Sequence, residues 1–218
     1  IYTHLMISEV ASLRKEYVHA TLDEDSVHKS PIDQFTKWFE EAIKAEINEP
    51  NAMVLATSDK KGFITQRTVL LKAFDKKGFV FYTNYKSRKA QQIDEHPHVS
   101  VLFPWYTLER QVAITGTVEK VSMAESIKYF ASRPFNSQLG AWVSQQSKVI
   151  TSRSILEVKL HEMKSKFKEG KVPLPDFWGG FRIIPDSIEF WQGRQSRLHD
   201  RILYSKKDED WVISRLSP

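Results

Sequence analysis

One turn occurs twice, and it limits the fold more than any other feature. Asp59-Lys60-Lys61-Gly62 and Asp75-Lys76-Lys77-Gly78 share their chemistry: an Asp able to accept from the backbone just ahead, and a Gly that tolerates positive φ. They separate three β-rich runs, residues 53–57, 65–74 and 79–83, which are expected to form an antiparallel meander. Residues 99–103 and 111–121 read as two further strands, and 181–184, 187–192, 201–205 and 211–215 as a second group. No strand–helix–strand alternation accompanies them, so a small barrel is expected rather than a parallel sheet.

Helices flank the strands. Ser30-Pro31-Ile32-Asp33 is a helix start: Ser caps, Pro occupies the first turn, and an acid follows three residues after the cap. Ile32, Phe35, Phe39, Ala42 and Ile43 then recur at helical spacing, Trp38 widens the stripe, and the helix ends before Pro50. Shorter helices are expected over 8–17, over 87–96 up to Pro97, and over 122–132. A longer one is expected over 151–169, with Leu156, Leu160, Met163 and Phe167 on one side and Gly170 at its end. Nothing resembles a linker. Residues 30–218 are expected to form one domain, and 1–29 a mobile N-terminal segment.

Composition excludes several classes. The chain has no cysteine, hence no disulfide, thiolate nucleophile or Cys-ligated metal. No apolar run approaches the ~18 residues of a membrane helix. The first residues show no basic stretch followed by an apolar one, so the cytosol is the expected compartment. The net charge of +5 fits a nucleic-acid binder or an enzyme for small anions equally well. Six Trp permit base stacking, but the basic residues are spread along the chain, which counts against nucleic acid. The seven His are scattered, with only His96 and His98 close together, so a zinc site is not expected.

Glycine-rich phosphate loops are absent, so any phosphate must be held by side chains. Arg67 and Lys72 share one β-run, Tyr82 and Thr83 end the next, and Arg88 and Lys89 open a helix, where the dipole favours an anion. A spacing of five puts Arg67 and Lys72 on opposite faces of a regular strand, which needs a bulge or two anions. Tyr129 and Arg133 share a helix face, with Ser137 just beyond, as in a monophosphate clamp. Arg197, His199 and Arg201 alternate and would project to one face of a strand. They read either as a lining for an anionic ligand or as an exposed strand edge with Glu189 and Asp200 as counter-charges.

The segment Ile188-Glu189-Phe190-Trp191-Gln192 followed by Arg197-Leu198-His199-Asp200-Arg201 resembles the signature of the pyridoxine (pyridoxamine) 5′-phosphate oxidases. Arg67-Thr68-Val69-Leu70-Leu71-Lys72, Phe81-Tyr82-Thr83-Asn84, Ser87-Arg88-Lys89, Glu109-Arg110-Gln111, Ser132-Arg133-Pro134 and Phe177-Trp178-Gly179-Gly180 resemble family segments in family order. The resemblance implies a mainly β, α+β split barrel with Greek-key-like antiparallel strands. It also implies a homodimer with FMN at the subunit interface. The implied reaction oxidises pyridoxine 5′-phosphate or pyridoxamine 5′-phosphate to pyridoxal 5′-phosphate by hydride transfer to the flavin, with O2 reduced to H2O2.

The resemblance also distributes roles. FMN would be held by Arg67, Thr68, Val69, Leu70, Leu71, Lys72, Tyr82, Thr83, Arg88 and Lys89. Gln111, Trp191 and Arg201 would contact its ring system, and Gln146 and Ser147 would reach it from the partner subunit. Lys72, Tyr129, Arg133 and Ser137 would bind the substrate phosphate. Arg197 and His199 would face the pyridine ring as catalytic residues, with His199 or the substrate's own amine as proton acceptor. Arg14 and Tyr17 would lie on a segment that covers the substrate. The spacer Gly193-Arg194-Gln195-Ser196 receives no role. The rival readings are a flavin split-barrel protein with another substrate, a nucleic-acid-binding module, and a non-catalytic carrier of pyridoxal 5′-phosphate.

Overall fold

The structure is a computed structural model that describes residues 16, 17, 20–167 and 170–218. The expected helix over 8–17 and the site residue Arg14 lie outside the described residues, save 16 and 17. Helix α1 (Pro31–Lys44) starts where the sequence places it, with Ser30 Oγ accepting from the Asp33 amide at 3.2 Å. Phe35, Trp38 and Ala42 on its inner face are buried, while Ile43 at the stripe's edge faces solvent. Phe35 lies 5.0 Å from the rings of Phe74, Phe79 and Phe103, so α1 plugs the concave side of the sheet. Full burial of such a side chain stabilises by about 2–3 kcal/mol.

The strands are β1 (Ala52–Ser58), β2 (Ile64–Leu70), β3 (Ala73–Asp75), β4 (Gly78–Asn84), β5 (His98–Trp105), β6 (Arg110–Lys120), β7 (Trp178–Gln192), β8 (Asp200–Lys207) and β9 (Asp210–Arg215). All ladders are antiparallel, in the order β2-β1-β5-β6-β7-β4-β3, with β8 on β7 and β9 on β8. Strand β7 forks the sheet. One edge pairs with β6 over residues 181–192; the other pairs with β4 over residues 178–183 and with β8 over 187–192. This fork is the split of the barrel.

The two repeated turns close as expected, with Asp59 Oδ1 accepting from the Lys61 amide at 2.9 Å and Asp75 Oδ1 from the Lys77 amide at 2.8 Å. They do not make a meander. The run 65–74 breaks at Leu71-Lys72, where the Leu71 amide donates to Asn51 O and the Lys72 amide to Val80 O, both at 2.8 Å. The first hairpin, β1–β2, therefore ends one side of the strand order, and the second, β3–β4, ends the other. A continuous covalent link between the two ends curls the sheet.

The run 178–192 is one strand, not two, although Pro185 interrupts it. Opposite Pro185 the ladder shifts register at Thr115/Gly116, and this bulge accommodates the missing amide. Helices α2 (Arg88–Glu95), α3 (Met123–Ser132), α4 (Phe135–Val143) and α5 (Ser154–Lys166) lie around the sheet. Helix α4 is not evident from the sequence, because Pro134 reads as a stop. Pro134 instead caps it, its carbonyl accepting from the Ser137 and Gln138 amides. Among the described residues no helix is long and apolar enough to cross a membrane.

Candidate functional site

A cleft of about 440 Å³ opens where β2 turns into β3, against β4, α3 and α4. Lys72, Thr83, Lys89, Tyr129, Arg133, Ser137 and Gln146 all line it. Two sets that read separately in the sequence thus share one cavity. The break at Leu71-Lys72 removes the opposite-face problem, since Lys72 no longer belongs to the strand that carries Arg67.

Aromatic stacking aims the clamp. Tyr82 and Tyr129 lie 3.9 Å apart and 19° from parallel, and Trp178 stacks on Tyr82 at 5.5 Å. The Arg133 guanidinium sits 4.7 Å over the Trp178 ring. The stacking is the main feature that sequence reasoning missed: Tyr82, Tyr129 and Trp178 stand out singly in the sequence, with no sign that they meet. Helix α3, which carries Tyr129, is fixed at its other end. Ser122 and Glu125 form a capping box, and Glu125 also binds Arg182 at 3.3 Å. Arg182 is 9% exposed and bonds Asp75 at 2.6 Å as well, so it ties α3 to the β3–β4 hairpin.

The electrostatics call for an anion. Arg133 Nη1 is buried without a hydrogen-bond partner, an arrangement that costs free energy unless a ligand oxygen completes it. Burial pushes the Arg133 guanidinium below its ordinary range and raises Tyr129. Beside it, Lys89 Nζ lies 3.3 Å from Thr83 Oγ1 and 3.5 Å from Gln146 Oε1. Burial, with Arg67 as neighbour, brings Lys89 down to about 8. Burial and the nearby Arg88 likewise lower Arg67.

Three cations held this close oppose one another until a negative charge joins them. Arg67 is fixed by Leu55 O at 3.3 Å and Thr57 Oγ1 at 2.6 Å, and also by Thr65 Oγ1. Gln92 Oε1 in turn accepts from both threonines at 2.6 Å. The Arg88 amide donates to Ser147 Oγ at 3.2 Å. Gln146 and Ser147 therefore reach this cluster from the same chain. Ser87 Oγ, at the start of α2, is also buried without a partner. These features fit a phosphate ester of a cofactor beside a second phosphate at Lys72 and Arg133.

The remaining expected site residues gather elsewhere. Gln111 pairs with Trp191 across β6–β7, and Trp191 with Arg201 across β7–β8. His199 lies 4.6 Å from the Trp191 ring, and Tyr17 packs edge-on against both, at 5.6 and 5.8 Å. Burial and Arg197 lower His199 below its ordinary value, against the pull of Asp200. The alternation expected of Arg197, His199 and Arg201 is not realised, because β8 begins only at Asp200. Arg197 sits in a 3-10 turn at φ 61°, after Ser196 at φ 56°. Arg201 is neutralised by Glu189 through contacts of 2.7 and 3.1 Å, as the strand-edge reading expected. Arg197 is left exposed.

The two groups lie at opposite ends of β7. Trp178 opens the strand and Trp191 nearly closes it; at ~3.3 Å per residue they are about 43 Å apart along it. Among the described residues, none of Gln111, Trp191, Arg197, His199 and Arg201 lines the cleft.

Comparison with known proteins gives a consistent picture. Residues 39–167 match the family model described as pyridoxamine 5′-phosphate oxidase. Residues 178–218 match one described as the pyridoxine 5′-phosphate oxidase C-terminal dimerisation region. A Crocosphaera subtropica protein named pyridoxine/pyridoxamine 5′-phosphate oxidase is 57% identical over 213 residues, covering 96% of this chain and all of its own. One of that name from Escherichia fergusonii is 52% identical over 212 residues, covering 97% of each chain. PhzG from Burkholderia lata 383, solved with tetrahydrophenazine-1-carboxylic acid, superposes with a TM-score of 0.87 at 28% identity, over 92% of this chain and 99% of its own. An FMN-binding protein from Nostoc punctiforme described as pyridoxamine 5′-phosphate oxidase-related shares the fold, with a TM-score of 0.70 at 15% identity over 87% of this chain and 98% of its own.

Proposed function

The chain belongs to the pyridoxamine 5′-phosphate oxidase family, and on that basis we infer that it oxidises pyridoxine and pyridoxamine 5′-phosphates to pyridoxal 5′-phosphate with a bound flavin. We propose that the flavin is FMN and that O2 is the final acceptor, reduced to H2O2. The observation that carries the reading is the unpartnered, buried Arg133 Nη1 in a cleft it shares with Lys72, Tyr129 and Ser137. A substrate without a phosphate has no use for that clamp.

The cofactor phosphate falls to Arg67, Arg88, Lys89 and Thr83, with the β2 backbone of Thr68, Val69 and Leu70, and Leu71 after it, alongside. The substrate phosphate falls to Lys72, Tyr129, Arg133 and Ser137. Bound flavin supplies the redox chemistry by taking up two electrons from the substrate carbon as a hydride. The protein's task is to hold that carbon at reacting distance, ~3–3.5 Å. A phosphate clamp at one end of the substrate and Arg197 with His199 at its ring define such a pose. Gln111, Trp191 and Arg201 are assigned to the flavin ring system.

These ring contacts and the phosphate clamp stand at opposite ends of β7, so one chain does not bring them together. The protein forms a homodimer, in keeping with the dimerisation region over 178–218. We propose that each site takes its phosphate clamp from one chain and its ring contacts from the other, with FMN in the seam. Residues 30–218 act as one flavin-binding domain, and the segment before it brings Tyr17 to the ring-contact group.

The test is the visible spectrum of the pure protein. A yellow protein that bleaches anaerobically on addition of pyridoxamine 5′-phosphate supports the reading. A colourless protein that neither binds FMN nor consumes O2 removes it.

A further inference from the structure

We propose that Arg194 is a positioning residue of this oxidase: its backbone amide fixes which ring nitrogen of His199 carries the proton, and its guanidinium ties the segment bearing Tyr17 to the loop bearing Arg197 and His199. The proposal rests on the functional reading above for what His199 and Tyr17 do, but not for how they are held. Arg194 belongs to the spacer Gly193-Arg194-Gln195-Ser196, which borders the site and has no role in the resemblance.

The backbone amide comes first. Arg194 N–H donates to His199 Nδ1 at 3.1 Å. A ring nitrogen that accepts a hydrogen bond has its lone pair engaged and holds no proton, so neutral His199 carries hydrogen on Nε2. The free side of the ring is then a donor. It binds an oxygen or ring nitrogen of the substrate; it does not take up the proton released in the oxidation. The ring is held in place by Trp191 and Tyr17, which pack against it and against each other.

The guanidinium works in the other direction. Its Nη1 donates to Ala20 O and to Asp200 Oδ2, both at 3.4 Å. Asp200 Oδ2 also accepts from the Leu22 amide at 3.1 Å, and its Oδ1 from Arg215 Nη1 at 2.9 Å. Arg215 closes the network on Glu24 at 2.6 and 2.8 Å and on Leu22 O at 3.1 Å. Residues 20–24 are thereby sewn to the edge of β8 and β9, just past Tyr17. Tyr17 lands on Gly193, where a Cβ would stand 2.7 Å from its ring. Only glycine lets Tyr17 come so near.

The loop needs such ties. Ser196 and Arg197 are consecutive non-glycine residues in the left-handed region, a strained conformation that persists only when its surroundings hold it. Arg194 and Asp200 bracket those two residues and are bonded to each other. Removing the Arg194 side chain frees the strap and relaxes the loop together, while the flavin contacts at Trp191 and Gln111 remain.

The test uses flavin-loaded dimer carrying Arg194→Met or Arg194→Lys, with pyridoxamine 5′-phosphate as substrate. Arg194→Met raises KM about fivefold, with kcat within about twofold and FMN affinity unchanged, as expected for loss of a half-exposed ionic tie. Hydrogen exchange in peptides containing Leu22 speeds up in the same variant. Arg194→Lys keeps a charge and a donor and holds KM within about twofold of wild type. In the wild-type protein, ¹⁵N spectra of labelled histidine show His199 with hydrogen on Nε2. Wild-type KM and wild-type exchange in Arg194→Met, or hydrogen on Nδ1 of His199, overturn the proposal. A wild-type protein inert toward pyridoxamine 5′-phosphate overturns the functional reading instead, and exchange and ¹⁵N spectra still decide on Arg194.

Discussion

Binding of FMN to the cofactor-free protein is predicted to take up a proton near pH 8, and Lys89 is the group that accepts it. In the free chain Lys89 is brought down to about 8 by burial, with Arg67 as the second cause. At pH 8 half of the Lys89 amines are therefore neutral. A phosphate ester placed between Arg67 and Lys89 returns the ammonium toward its ordinary value of about 10.4, so binding at pH 8 draws in roughly half a proton. At pH 6 the amine is already charged and almost none is taken up; at pH 9 the uptake approaches about 0.9. The phosphate of FMN, with a second pKa near ~6, stays dianionic throughout the upper range. The sign follows from linkage: a ligand that favours the protonated form binds more weakly as pH rises through the free-state pKa. Above pH 8 the affinity falls by up to about tenfold per pH unit. Titration calorimetry in buffers of different ionisation enthalpy measures the uptake directly, and Lys89→Met abolishes it. Uptake that persists in Lys89→Met, or wild-type affinity flat from pH 7 to 9.5, refutes the reasoning.

Three further outcomes are expected. Arg133→Met raises KM for pyridoxamine 5′-phosphate by roughly 10–100-fold, the loss of charge-assisted hydrogen bonds worth about 1.5–3 kcal/mol, and leaves the weak turnover of unphosphorylated pyridoxamine unchanged in steady-state assays. Gly116→Ala brings a Cβ within 2.1 Å of Ile184 O at the bulge, a backbone clash that no side-chain movement relieves. It is expected to cost about 3 kcal/mol and to lower Tm by roughly 6–12 °C in a calorimetric scan. His199 titrates below its ordinary value through burial and Arg197, so its NMR midpoint lies below ~6.5 and moves up in Arg197→Met. The neutral form's contribution to stability is present above that range and is lost as pH falls through the midpoint.

Local chemistry made much of the fold legible. The Asp-Lys-Lys-Gly turns, the Ser30 cap and the Ser122 start all appear in the structure at the expected residues. The departures are places where tertiary closure overrides the local signal. Val69-Leu70-Leu71 looks like uninterrupted strand, and only Asn51, whose side chain holds Leu71 O at 3.1 Å, marks where the chain crosses to the other hairpin. Pro185 reads as a strand end, but a bulge beside it, opposite Thr115 and Gly116 of β6, absorbs it. The site follows the same rule. Its side chains were readable by type, as two cationic sets with hydroxyl neighbours. Their merger in one cleft was not, because it depends on the Lys72 break and on α4, which starts at a proline. Counter-charges were partly readable: Glu189 does neutralise Arg201. The orphaned nitrogen of Arg133 and the Tyr82–Tyr129–Trp178 stack are properties of packing, and no spacing rule reveals them.

The central claim is that one site needs both ends of β7 and therefore two chains. Subunit mixing tests it most directly. Arg133→Met removes the phosphate clamp of a chain, and Arg197→Met its ring contact. When equal amounts of the two impaired dimers exchange subunits at random and are assayed with substrate no higher than the wild-type KM, half the dimers become mixed, and each holds one site free of both changes. The account predicts recovery of about a quarter of wild-type activity. Activity that stays at the level of the separate variants after proven exchange contradicts it, because both groups would then act within a single chain.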